Sequence, residues 1–147
     1  MPSLPTLLHA LVSFQPHGSW LPLEDLLEEL WELGPPTEAL VPLFRFLERF
    51  PEDESGGVLM GLMHGIETFP AYETELLDSL HRQPTEITLL LVRRIANAGQ
   101  QTIAQHPVAS VYRAVHVRWS GKSGQNRVLS FQCHERQFPT QQTSALR

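Results

Sequence analysis

Residues 84–99 read PTEITLLLVRRIANAG, and this stretch decides the fold. On a helix of about 100° per residue its apolar side chains cover nearly the whole circumference. They are Ile87, Leu89, Leu90, Leu91, Val92 and Ile95. Pro84 opens the segment and Gly99 follows it, which are the usual positions of these residue types at helix ends. A helix that is apolar all round is buried, so we expect this one to be central.

Six further helices are expected around it, because helical periodicity dominates the chain and is interrupted by proline and glycine. The seven expected ranges are 4–14, 21–33, 37–50, 58–69, 70–81, 84–98 and 107–119. Short connections favour antiparallel neighbours. The sequence thus predicts an all-α fold of six to seven antiparallel helices, as HEAT-like helix pairs or as a compact bundle.

The helical pattern ends near residue 119, so we assign residues 1–119 to a single helical domain. Residues 120–147 are rich in Gly, Ser, Gln and Arg and have little to bury. We expect them to form a basic tail that is loosely attached or disordered. VLSFQCH, residues 128–134, is the only strand-like run in the chain.

The composition excludes several classes of protein. No apolar run approaches the roughly 20 residues that span a bilayer. The N-terminus lacks the basic region and cleavage site of a signal peptide. Cys133 is the only cysteine, which excludes an internal disulfide and a cysteine-rich zinc site. We therefore expect a cytoplasmic protein.

Charge is unevenly distributed along the chain. The formal net charge is −5, but residues 1–99 hold 15 acidic and 5 basic side chains, whereas residues 100–147 hold 1 acidic and 6 basic. Because phosphate binding needs clustered Lys and Arg, the acidic body disfavours nucleic acid as the main ligand. It suits a basic protein partner instead.

A row of carboxylates marks the polar face of the second expected helix, opposite its apolar side. The acidic residues are Glu24, Asp25, Glu28, Glu29 and Glu32, and the loop after the third helix adds Glu52, Asp53 and Glu54. Most acidic helix faces are only solvated. Because no Lys or Arg is interspersed, however, these charges repel one another. A docking surface for a basic partner is therefore the second interpretation.

His64 and Glu67 lie three residues apart in the fourth expected helix and are neighbours on its surface. With Met60 they form a second candidate partner-binding surface, facing away from the apolar stripe. As metal ligands the pair would need a third His, Asp or Glu. As an acid–base pair it lacks a nucleophile or second carboxylate. We therefore assign no metal and no catalytic residue.

Arg94 falls between Ile87, Leu90 and Leu91 on the wheel of the central helix. A buried arginine must be paired. Glu67 and Glu73, from the adjacent helices, are the candidate partners. We expect a structural ion pair, with Glu67 and Arg94 holding two helices in register.

Residues 61–99, GLMHGIETFPAYETELLDSLHRQPTEITLLLVRRIANAG, resemble small all-helical immunity proteins of bacterial polymorphic-toxin systems of the contact-dependent or Rhs type. Those proteins have a His-x-x-Glu step, then Tyr and a Leu-Leu pair, then an apolar helix ending Arg-Ile-x-Asn. The matching residues here are His64, Glu67, Tyr72, Leu76, Leu77, Arg94, Ile95 and Asn97. Gly61 and Gly65 depart from the pattern, since bulkier residues are expected there.

The resemblance implies a binding protein without catalysis or cofactor, which blocks a cognate toxin made by the same cell. Many such toxins are nucleases with basic clefts, which suit an acidic inhibitor. We therefore expect an immunity protein whose partner is a basic toxin, with no nucleic-acid or membrane partner. A helical-repeat adaptor that binds another protein is the alternative. A metal-dependent helical enzyme using His64 and Glu67 is a third hypothesis.

Overall fold

A computed structural model describes residues 2–34 and 36–122, with side chains described as far as Val115. Within these ranges the chain forms seven α-helices and one two-stranded hairpin. The helices are α1 Leu4–Ser13, α2 Leu21–Glu32, α3 Leu40–Arg49, α4 Val58–Glu67, α5 Tyr72–Arg82, α6 Glu86–Asn97 and α7 Val108–Lys122. The strands are β1 Thr102–Ile103 and β2 His106–Pro107, which pair antiparallel. The predicted all-α class is confirmed.

The helices stack as antiparallel pairs in two layers. Consecutive helices contact each other as α1–α2, α3–α4 and α5–α6. Within one layer α3 contacts α1 and α5, and within the other α4 contacts α2 and α6. This is the stacked-pair alternative rather than a bundle around one axis. Helix α7 and the hairpin close the α6 end of the stack.

Helix α6 belongs to the core, as its sequence predicts. It contacts α4, α5 and α7, and most of its apolar side chains are buried. The buried apolar residues are Ile87, Leu89, Leu91, Val92 and Ile95. Its start is fixed by a reciprocal capping box, in which the Thr88 amide donates to Thr85 Oγ1 and the Thr85 amide donates to Thr88 Oγ1. Both threonines are buried.

The expectation that Arg94 is buried is wrong. Its side chain is 44% exposed. Leu90, Arg93, Arg94 and Asn97 follow helical spacing and form the outward stripe of α6, on which Leu90 is half-buried and the other three are exposed. Because the sequence of α6 is apolar around almost the whole helix, the helical wheel does not identify which side the neighbouring helices leave exposed.

The hairpin was not expected, because strands of two residues carry no periodic signal. Its turn residues Ala104 and Gln105 both have positive φ, 43° and 69°. That combination belongs to a two-residue turn that favours Asn-Gly. The Glu73 carboxylate stabilises it by accepting the Ala104 amide at 3.0 Å and the Gln100 side chain. Glu73 therefore holds the hairpin on α5 rather than pairing with Arg94.

Two helix boundaries differ from the expected ones by three residues, and the others differ by two residues or fewer. Residues 37–39 form a 3₁₀ turn, so α3 begins at Leu40 and Pro42 falls in its first turn, where a missing N–H costs little. Helix α7 ends at Lys122, three residues beyond the expected domain end. The rest of the expected tail, residues 123–147 with VLSFQCH, lies outside the described residues.

The contact between α2 and α4 depends on Gly65, one of the two glycines that depart from the immunity-protein pattern. A Cβ added to Gly65 would lie 2.1–2.6 Å from three atoms of the Trp31 indole ring. No side chain fits in that space, since protein interiors are close-packed. At Gly61, one turn earlier on α4, an added Cβ meets nothing within 4 Å. Only Gly65 is therefore required by internal packing.

We predict that Gly65→Ala destabilises the fold, because the added methyl must displace the Trp31 ring or the α4 backbone. The expected loss is about 1–3 kcal/mol in the free energy of unfolding. Gly61→Ala is the matched control and should be neutral or stabilising by up to about 1 kcal/mol, since alanine favours the helix. Urea unfolding of both variants measures this. Equal effects at the two positions would show that Trp31 does not pack on Gly65.

Candidate functional site

The acidic face of α2 points outward along its whole length. Glu24, Asp25, Glu28, Glu29 and Glu32 are all exposed. On the opposite side Leu23, Leu27 and Leu30 are buried and anchor the helix. The wheel therefore placed both faces correctly.

No basic side chain neutralises this face within the described part of the chain. Arg45 and Arg82 pair with Glu48, and Arg94 pairs with Glu67. Arg49 donates to three carbonyl groups at the C-terminus of α1 and lies over the Phe46 and Phe50 rings. These arginines stabilise other parts of the fold and do not pair with the α2 carboxylates.

A groove of about 600 Å³ runs between α2 and α4, beside the acidic face. It is called the α2–α4 groove below. Its α2 side carries three carboxylates, its floor is apolar, and its α4 side is almost without side chains. The lining residues are Glu24, Glu28 and Glu32, then Leu27, Trp31 and Val58, then Gly57 and Gly61. An apolar floor with polar groups on one side is typical of a binding site.

The three carboxylates of the groove recur every fourth residue. Each step advances about 6 Å along α2. Lined up at the rim of a concave surface, like charges concentrate the local potential and raise the concentration of cations there. The groove is therefore suited to a ligand that carries several positive charges along one edge.

Gly61 helps to keep the groove open, because it places no side chain on the α4 side. Glycine inside a helix costs roughly 0.5–1 kcal/mol relative to alanine. At Gly65 the close contact with the Trp31 ring explains why glycine is present despite this cost. At Gly61 an added Cβ meets no atom within 4 Å, so internal packing does not explain the glycine there. The sequence singled out both glycines. It did not show that Gly61 and Trp31 line one groove, because that depends on how α2 crosses α4.

The acidic residues of the loop before α4 were expected to extend the acidic face of α2, but they are not all available for binding. Glu52 and Glu54 are exposed. Asp53 has a structural role instead, because its Oδ1 accepts both the amide and the hydroxyl of Ser55 at 2.9 and 2.6 Å. Ser55 Oγ in turn accepts the Leu59 amide in the first turn of α4. The Asp53 amide donates to the Glu86 carboxylate, which fixes the loop on α6.

The second candidate surface consists of Met60, His64 and Glu67, and most of its contacts are with other parts of the same chain. Met60 is half-buried against the core. His64 is exposed, and its Nδ1 lies 3.3 Å from Glu67 Oε2. Arg94 donates from Nε to Glu67 Oε1 at 2.5 Å and from Nη2 to Oε2 at 3.1 Å. Glu67 thus joins α4 to α6 through two bonds from one guanidinium.

The titration of this cluster follows from those bonds. The Arg94 guanidinium holds the pKa of the Glu67 carboxyl below its usual value, and the hydrogen bond with His64 acts in the same direction against the opposing effect of burial. The same pairing raises the pKa of Arg94. Burial, with the nearby Glu67 and Glu73 charges, raises the pKa of Tyr72. Glu67 is therefore held as a carboxylate, which favours its structural role over proton transfer.

Among the described residues, no group of three His, Cys, Asp or Glu side chains is arranged to hold a metal ion. The described part of the chain brings no third ligand to His64 and Glu67, which the metal hypothesis requires. None of the helices in the described ranges is long and apolar enough to cross a membrane.

Comparison of the chain with models of protein families, with curated proteins and with solved structures finds no match.

We predict that Glu67→Gln lowers the thermal midpoint near neutral pH and that this difference vanishes in acid. The pKa of Glu67 is lowered from its usual 4.5 in the folded state. Its contribution to stability is therefore complete above that value and is lost as the pH falls through the lowered folded-state pKa. Thermal unfolding of both proteins from neutral to acid pH measures the difference.

Asp78→Asn is the matched control, because it removes an exposed carboxylate of α5 that makes no ion pair within the described residues. A Glu67→Gln difference that stays constant across the pH range would contradict the assigned role of the Arg94 pair.

Proposed function

We propose that this chain is an immunity protein that neutralises a basic bacterial toxin by binding it in the cytoplasm, without catalysis or cofactor. The observation that carries the proposal is the acidic face of α2. Five exposed carboxylates lie there beside an open groove, and no cation of the described residues neutralises them. A basic partner would relieve that repulsion on binding.

The residues that carry the resemblance to immunity proteins lie together in the structure. His64, Glu67 and Arg94 form one bonded cluster, and Leu76 and Ile95 are buried in the core. They join α4, α5 and α6, which makes them the scaffold beside the α2–α4 groove. They support the proposal as the part of the scaffold that resembles immunity proteins.

An adaptor that binds another protein is the second candidate function. The stacked helix pairs favour it, since such stacks commonly present extended surfaces to protein partners. Both functions use the same face of α2. They are separated by the partner, because only an immunity protein restores growth to cells that produce the toxin.

We predict that reversing Glu24, Glu28 and Glu32 together to lysine lowers the association rate with the toxin by about tenfold or more at low salt. Added salt should slow association of the parent through screening and should change its dissociation less, because buried contacts hold the complex. The fold should persist, since the three side chains lie opposite the buried face. Surface plasmon resonance at low and physiological salt, against a candidate basic toxin, measures the rates.

The matched control reverses Glu38, Glu75 and Asp78, which changes the net charge equally at residues that do not line the α2–α4 groove. It should leave association nearly unchanged. The proposal fails if the first triple variant binds and protects cells like the parent while substitutions at Met60 and His64 abolish binding.

A further inference from the structure

We infer that the α2–α4 groove receives arginine side chains from one face of a partner helix, with one guanidinium lying on the Trp31 ring. The inference rests on the proposed function and specifies how the partner is recognised. Three features of the groove carry it: the composition of the floor, the spacing of the carboxylates and the absence of a side chain at Gly61.

The floor combines an aromatic ring with aliphatic side chains. Trp31 is half-buried, so one part of its indole packs on Gly65 while another part lines the groove with Leu27 and Val58. A guanidinium stacks on an indole face more readily than an ammonium does. The methylene stem of the same arginine is apolar and can lie along Leu27. The floor therefore fits an arginine along its whole length.

The rim supplies the opposite charge at a regular interval. Glu24, Glu28 and Glu32 are one helical turn apart, about 6 Å at each step. A partner helix with arginines at every fourth residue repeats that interval, so each guanidinium can bind one carboxylate through two parallel hydrogen bonds. A groove between two helices is also a common site for a third helix.

Gly61 allows the partner to approach the α4 backbone. A Cβ there would project into open space, so a larger side chain can be introduced without an internal clash. Such a side chain would narrow the groove and leave the acidic face unchanged. Gly61 is therefore the position at which access to the groove can be tested separately from charge.

The experiment uses an alanine-based helical peptide with three arginines spaced four residues apart, and the full-length chain. Its affinity is measured by fluorescence anisotropy at low salt. We expect the Glu24, Glu28 and Glu32 reversal to weaken binding at least tenfold, and replacement of arginine by its neutral isostere citrulline to do the same. Gly61→Leu should also weaken binding at least tenfold, whereas Gly61→Ala should change it less than threefold. Thermal unfolding checks that both Gly61 variants remain folded.

The outcomes distinguish the inference from the proposed function. If Gly61→Leu binds the peptide like the parent while the charge reversal abolishes binding, the arginines bind on the outer face of α2. The groove inference is then wrong, and docking through the acidic face stands. If Gly61→Leu and the citrulline peptide both lose binding, the groove is the site. If the peptide binds equally to the parent and to the charge-reversed variant, the inference is overturned, and the toxin association rates test the proposed function independently.

Discussion

The close approach of Trp31 to α4 is the contact on which the proposed binding surface depends. Gly65 has no side chain, so the indole ring lies directly against the α4 backbone and sets the distance between α2 and α4 at this end. The groove lies beside that contact, because Trp31 lines it together with Gly57 and Gly61. Three carboxylates of α2 consequently line a concave surface between two helices.

Acidic residues serve two purposes in this molecule. Glu48, Glu67, Glu73 and Glu86 each accept hydrogen bonds from another part of the chain and connect helices, the hairpin or a loop. These four are paired and contribute to the fold. The carboxylates of α2 make no such bonds within the described residues, and they are concentrated on one helix. Because an unneutralised row costs stability, its position beside a groove favours a role in binding.

The sequence predicts the helices well, because long periodic segments bounded by proline and glycine carry a strong signal. The core position of α6 and the two faces of α2 follow from the same pattern. Three features depend on tertiary contacts and could not be obtained in this way. The open side of α6 exposes Arg94, Glu86 of α6 accepts the Asp53 amide of the loop, and Trp31 of α2 packs on Gly65 of α4. The two mid-helix glycines of α4 were the available signal for that contact.

Amide hydrogen exchange, measured on the chain alone and in complex with the proposed basic toxin, tests the central claim most directly. If the toxin binds over the acidic face and the α2–α4 groove, exchange should slow in residues 21–32 and 57–61 on binding. Exchange in α7 should stay unchanged, because that helix packs on α6 at the far end of the stack. Slower exchange confined to α5, α6 and α7, with α2 unchanged, would contradict the account.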